Sequence, residues 1–184
     1  MSDKNIEIRL SGEGGQGLIL AGVILAESAI IEGKNASQSQ YYGPESRGGI
    51  SKSEVIISEG EIVYPEVAEP DLVLVLSQVA CIPYTKDIRS DETYVLFDSD
   101  KVSDFPSLKK GKIYKLPFTK TAYDKLGKPF IANIIALGTV VALTNAVKRE
   151  SIEKAVLARV PKGTEELNRA ALNEGFELAK TIKL

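Results

Sequence analysis

A chain of 184 residues with 43% hydrophobic and 26% charged side chains has the make-up of one globular domain, long enough to bury a sizeable core. A net charge of −2 leaves no basic surplus for neutralising nucleic-acid phosphates. With no histidine and a single cysteine, Cys81, the chain has no Ser-His-Asp triad, no Cys-His pair, no ordinary zinc site, no four-cysteine cluster and no disulfide framework. Any redox or acyl-transfer centre it serves must belong to a cofactor or another chain. Residues 1–7 are mixed polar and carry no signal pattern, so a cytoplasmic protein is expected.

Ile6 to Leu10 reads as a first strand. A turn containing Gly12, Gly14, Gly15 and Gly17 follows, then a helix from Leu18 to Glu32. The apolar residues of that helix (Leu18, Leu20, Val23, Ile24, Leu25, Ile30, Ile31) lie nearly all round it, which predicts deep burial. The run carries Glu27 and Ser28 and falls short of the ~20 residues that span a bilayer. Gly33 suits its C-cap, with Lys34 beside it. Residues 35–49 read as a loop, with a short strand at 35–40. Ile50 to Ile57 is a strand, and Glu61 to Tyr64 is expected as its hairpin mate across Ser58-Glu-Gly60. Asp71 to Leu76 is a continuous apolar run, the pattern of a strand buried on both faces of a parallel sheet. A short helix at 78–84 and strands at 93–97 and 112–116 come next. Helices are expected at 119–126, 131–148, 152–159 (capped by Ser151) and from the cap Thr164 to about 181. The last would pack through Leu172, Gly175, Phe176 and Ala179. The interleaving gives an α/β fold: a layered α/β/α domain with a mixed, mostly parallel sheet, Rossmann-like, as one domain over 1–184.

Two segments carry the chemistry. The turn after the first strand, Gly12-Glu-Gly-Gly-Gln-Gly17, lets the backbone approach an anion at a helix start. The nicotinamide version of this motif needs a carboxylate about 20 residues on, where this chain has Ala36-Ser-Gln-Ser-Gln40. Glu13 inside the turn would also repel a phosphate unless it points away. A different anionic ligand, a partner contact and a purely structural turn all remain open. The second segment, Tyr41-Tyr-Gly-Pro-Glu-Ser-Arg-Gly-Gly49, crowds aromatics, an acid–base pair and double glycine into one loop, the density of an interface or active-site loop. Arg47 can meet a phosphate or carboxylate in forked geometry, or pair with Glu45. Asn133 near a helix start can cap it or meet a ligand. Cys81 reads as a small core residue, Lys109-Lys110-x-Lys112 as solvated surface, and Glu165-Glu166 as helix-start charges.

Together, Gly12-Glu-Gly-Gly-Gln-Gly17 and Tyr42-Gly-Pro-Glu-Ser-Arg-Gly-Gly49 closely resemble the gamma subunit of 2-oxoacid:ferredoxin oxidoreductases. Ser51-Lys-Ser-Glu-Val, Pro70-Asp-Leu-Val-Leu-Val-Leu-Ser77, Asn133 and Ala136-Leu-Gly138 extend the match over essentially the whole chain. The resemblance implies a pyruvate/ketoisovalerate oxidoreductase gamma-type domain in a complex that converts a 2-oxoacid, coenzyme A and an oxidised acceptor to an acyl-CoA, CO2 and reduced acceptor. Thiamine diphosphate, magnesium and iron–sulfur clusters would be held by alpha and beta subunits and, where present, a ferredoxin-like delta subunit. This chain would be no catalyst alone and would bind no metal. It would help accommodate CoA through Gly12, Gly14, Gly15, Gln16, Gly17, Tyr42, Gly43, Glu45, Arg47, Gly48, Gly49 and Asn133. The Gly12-Glu-Gly-Gly-Gln form looks most like the 2-oxoglutarate type, which would yield succinyl-CoA. The alternatives are the branched-chain 2-oxoisovalerate, pyruvate or indolepyruvate types, or a stand-alone α/β nucleotide-binding module. Contact with nucleic acid or a membrane is not expected.

Overall fold

The computed structural model describes residues 5–44 and 48–182. Six strands form one sheet: β1 (Ile6–Glu13), β2 (Asn35–Tyr42), β3 (Ile50–Ser58), β4 (Leu72–Val75), β5 (Tyr94–Asp98) and β6 (Lys112–Leu116). Their order is β2-β3-β1-β4-β5-β6. Strands β1, β4, β5 and β6 run parallel, while β3 pairs antiparallel with both β1 and β2. The expected mixed, mostly parallel sheet is therefore present.

Period-two alternation sorts the strand side chains between two cores. Ile8, Leu10, Leu72, Leu74 and Leu96 face one side, where α1 (Leu18–Ile31), α3 (Phe118–Leu126), α4 (Ala132–Thr144), α5 (Arg149–Arg159) and α6 (Glu165–Lys180) cover them. Val73, Val75, Val95 and Phe97 face the other side. There they meet a 3₁₀ turn at Gln78–Ala80, the five-residue α2 (Cys81–Thr85), Val102 and Phe105. The second layer is thin, and the two layers are unequal.

Several sequence-based expectations need correction. Residues 61–64 form no strand; the hairpin mate of β3 is β2, in register from Asn35↔Ser58 to Tyr42↔Ser51. The β-branched character of residues 61–64 suggested a strand, but Val63 and Tyr64 stand exposed. An edge strand such as β2, buried on little of its surface, does not need the apolar pattern that reveals inner strands. Helix α1 is not buried all round: Leu20, Ile30 and Ile31 are exposed. The helix expected at 131–148 stops at Thr144, because Asn145 takes a left-handed conformation (φ 50°). Ser151 lies inside α5 and caps nothing; the N-cap position is Lys148. Thr164 does stand at the N-cap of α6, but its hydroxyl donates to Pro161 O and makes no cap. In α6, Asn168 and Ala171 join Leu172 and Gly175 in the buried stripe, with Phe176 and Ala179 half-buried. Gly33, at φ 78°, follows the α1 C-cap Glu32 and donates to Ile30 O, close to the expected termination.

Candidate functional site

In open α/β sheets, ligands collect at the carboxyl ends of the parallel strands, where successive connections leave in opposite directions. Here that point lies between β1, which leads to α1 and β2 on one side, and β4, which leads to β5 on the other. A cleft of about 420 Å³ opens there. Its walls are the turn Glu13–Gln16, Leu76 after β4, Asp98 and Lys101 at the end of β5, Thr119 of α3, and the 129–133 segment leading into α4.

The glycine-rich turn is held from inside by Gln16. Its Oε1 accepts from the Glu13 N–H at 2.7 Å, and its Nε2 donates to Leu76 O at 2.8 Å. Gly12 makes room for this clamp: a Cβ there would lie 2.2 Å from Gln16 Oε1. At Gly17 a positive φ of 73° starts α1, and a Cβ would come within 2.4 Å of Asn133 Nδ2. Asn133 donates to Gly17 O at 3.3 Å and its Oδ1 accepts from the Ile134 N–H at 2.9 Å. Asn133 is the second residue of α4, not its N-cap; its amide joins the start of α4 to the start of α1 and forms part of the cleft wall.

The second sequence segment meets the first. Gly14 N–H donates to Gly49 O at 2.8 Å, and Gly48 lies against Glu13 Oε1. Gly43 N–H donates to Ile50 O at 2.7 Å, which closes the β2–β3 hairpin. Gly12, Gly14, Gly15, Gln16, Gly17, Gly48, Gly49 and Asn133 thus gather around one end of the sheet. Tyr42 is apart from the cleft: it ends β2, opposite Ser51, and is 57% exposed. Glu45 and Arg47 lie outside the described residues, so their pairing stays an expectation.

Sequence reasoning missed the far wall. Asp98 is buried, and its carboxylate accepts from Thr119 Oγ1 at 2.5 Å, from Thr119 N–H and from Asp100 N–H. Burial pushes its pKa up, and the hydrogen bonds from Thr119 and Asp100 oppose that rise. Lys101 and the exposed Phe130 complete this side. An aspartate closing an apolar strand was the available signal.

Also missed was a charged cluster on the thin-layer side of β1. Arg9, buried, donates to Glu54 Oε1 at 2.8 Å, to Asp87 Oδ1 at 2.8 Å and to Tyr84 O at 3.1 Å. Lys52 reaches the other Glu54 oxygen at 2.8 Å. An arginine between Ile8 and Leu10 in a central strand was the visible clue. Burial disfavours the Arg9 charge, but the bonds and charges of Asp87 and Glu54 outweigh it and raise its pKa.

Cys81 is buried in the smaller core, as expected, and burial, with Asp104 nearby, pushes its thiol up to about 11. A thiol in that state is no nucleophile at neutral pH. Lys110 and Lys112 pair with Asp91 and Glu92 on the surface.

The match to known proteins covers this whole arrangement. Residues 7–178 fit the family described as pyruvate ferredoxin/flavodoxin oxidoreductase, and the chain belongs to that family, as a gamma-type subunit of 2-oxoacid:ferredoxin oxidoreductases. Among its relatives is the 2-oxoglutarate synthase subunit KorC of Methanocaldococcus jannaschii, 50% identical over 179 residues, 96% of this chain and 95% of that protein. The crystal structure of a keto/oxoacid ferredoxin oxidoreductase gamma subunit from Geobacter sulfurreducens superposes with a TM-score of 0.85 at 49% identity, covering 96% of this chain and 99% of that one. A 2-oxoglutarate:ferredoxin oxidoreductase from Magnetococcus marinus, solved with 2-oxoglutarate, coenzyme A and succinyl-CoA bound, shares the fold. Its TM-score is 0.87 at 21% identity, over 99% of this chain and 32% of that larger one. Among the described residues no helix is long and apolar enough to cross a membrane.

Proposed function

We propose that this chain is the gamma subunit of a thiamine-dependent 2-oxoglutarate:ferredoxin oxidoreductase, forming part of the active-site wall and of the passage for coenzyme A. The observation that carries this reading is the 50% identity to a 2-oxoglutarate synthase subunit over nearly the full length of both chains. The absence of histidine and the inert state of Cys81 agree with reactive centres held by companion chains. The proposed partners are alpha and beta subunits, with a ferredoxin-like delta subunit and ferredoxin beyond them.

The cleft suits one end of a polyanionic coenzyme. The start of α1 offers backbone N–H groups with no acidic residue in its first turn, and Asn133 adds an amide beside it. Lys101 supplies a cation on the opposite wall, and in sequence Arg47 directly precedes the Gly48-Gly49 pair, whose Gly49 O accepts from Gly14 N–H. Glu13 would turn phosphates away from its own corner. When bound, the coenzyme supplies the acyl-accepting thiol; this chain's residues hold it and exclude water.

Two measurements test the proposal. Co-expression should recover larger subunits, and the assembled complex should form succinyl-CoA in preference to acetyl-CoA or a branched acyl-CoA; preference for another 2-oxoacid would reassign the subtype. A tight-binding monomer that saturates with nucleotide and recruits no subunits would support the stand-alone module instead. Arg47→Ala should raise the KM for CoA or weaken assembly, and unchanged values for both would return Arg47 to a surface pair with Glu45.

A further inference from the structure

Among the described residues, strand β2 forms one edge of the sheet and pairs only with β3. Natural edge strands are usually guarded by lysine, proline, bulges or a covering segment, because free N–H and C=O groups invite pairing with another chain. Asn35-Ala-Ser-Gln-Ser-Gln-Tyr-Tyr42 has no charged residue and no proline over its eight residues. Its hydrogen-bonding phase is set by Gly43 N–H donating to Ile50 O, in the same register as the rest of the hairpin. By alternation, residues 35, 37, 39 and 41 turn their peptide groups to β3, and Ala36, Gln38, Gln40 and Tyr42 turn theirs outward.

We propose that β2 pairs antiparallel with β2 of a second copy of this chain, about a two-fold axis through Ser39. This register sets Gln38 opposite the partner's Gln40, and Ala36 opposite the partner's Tyr42. The four outward-facing residues on each side then exchange about eight backbone hydrogen bonds. Because the axis is perpendicular to the sheet, opposed residues share a face, as pairing requires.

The choice of a second copy rests on self-complementarity. No like charges meet anywhere along the paired strands, so the strand does not repel itself. The two ends of β2 also fit each other. Beside its start lies a groove of about 530 Å³ lined by Ile30, Ala36, Glu61, Ile62 and Pro65, among others. At its other end Tyr41 and Tyr42 are 50% and 57% exposed. Ala36 packs toward α1, and Tyr42, six residues on, shares that face. The partner's Tyr42 therefore lands over Ala36 at the groove mouth, near the exposed Ile30, with a phenolic O–H to offer the Glu61 carboxylate. The two-fold repeats this contact, giving an isologous interface. Two six-stranded sheets would join into one, leaving each cleft at the β1–β4 end free. This pairing stands independently of which 2-oxoacid the complex uses.

Sedimentation of the 184-residue, 19.9 kDa chain over a range of concentrations tests it, with circular dichroism confirming that each variant is folded. The wild type should dimerise. Gln38→Lys combined with Gln40→Lys places like charges opposite each other twice and should weaken the dimer more than about tenfold. Gln38→Lys with Gln40→Glu pairs opposite charges in this register and should restore it, whereas a register shifted to put Gln38 opposite the partner's Gln38 would set lysine against lysine. Ser39→Cys, on the axis at a close non-hydrogen-bonded pair, should form a disulfide-linked dimer under mild oxidation. A wild type that stays monomeric at every concentration would overturn the proposal. So would a dimer indifferent to both charge variants, or β2 protected only when other subunits are present.

Discussion

Gln16 shows how one side chain shapes the cleft. Its amide ties the Glu13 backbone to the end of β4, and its space exists because residue 12 has no Cβ. Gln16→Ala should destabilise the chain by about 1–3 kcal/mol, the usual cost of stranding buried partners, as read by urea unfolding. Gly15 differs: a Cβ would meet nothing within 4 Å, but its φ of 95° strains any L side chain. Gly15→Asp should thus cost only about 1–2 kcal/mol of folding stability, while harming CoA-dependent turnover in the assembled complex far more. Intact CoA kinetics in the folded variant would remove this loop from the coenzyme site. In the charged cluster, Arg9→Ala leaves the Glu54 carboxylate buried with only Lys52 to pair it, and should cost about 3–5 kcal/mol. Asp87 gives the same cluster a pH signature. Burial pushes its pKa up, but the Arg9 bond and charge outweigh burial and hold it below the ordinary carboxylate value. Its contribution is therefore present above that ordinary value and is lost as pH falls through the depressed one. Wild type should exceed Asp87→Asn in stability at pH near 7, and the gap should close as the pH falls below the ordinary carboxylate value.

Among the elements, the crossing of α4 and α6 is the tightest. A Cβ on Gly175 would lie 2.0 Å from Ile135 O, and one on Gly138 2.4 Å from Leu172 O. The two glycines let the helix backbones touch, and Thr139 Oγ1 bonds Gly175 O at 2.9 Å across the contact. Gly175→Ala should force the helices apart and cost about 1–3 kcal/mol despite alanine's better helix propensity; a variant as stable as wild type in denaturant would show that the crossing gives way easily. Gly175 was visible in the sequence as part of the packing stripe of the last helix. Its partner on α4 was not, because the pattern of one helix does not say which other helix it meets. Strand β2 marks the opposite limit. Its polar run reads as a short strand at 35–40 inside a loop, and pairing with β3 carries it on to Tyr42.

At the scale of the whole molecule, the uneven layers separate two roles. The helices on one face seal the larger core, while the carboxyl edge of β1, β4 and β5 is left open for the cleft. That edge gathers residues far apart in the chain: the turn at 12–17, the hairpin end at 48–49 and the start of α4 at 133. In the assembled enzyme this arrangement predicts a division of labour. The purified chain alone should neither oxidise a 2-oxoacid nor carry a cluster, and turnover by the solitary chain would overturn it.

The amino-acid order by itself determined the alternation of strands and helices, the central apolar strand, the glycine-rich turn and the family, since these rest on local periodicity, backbone freedom and motif spacing. Tertiary structure decided that β2 rather than residues 61–64 completes the hairpin, that Asn133 joins two helix starts instead of capping one, and that Asp98, Lys101 and Phe130 wall the cleft. The reason is range. Hydrogen-bond pairing and side-chain contact between residues 15 to 116 positions apart follow from how the layers stack, and no local pattern encodes that distance.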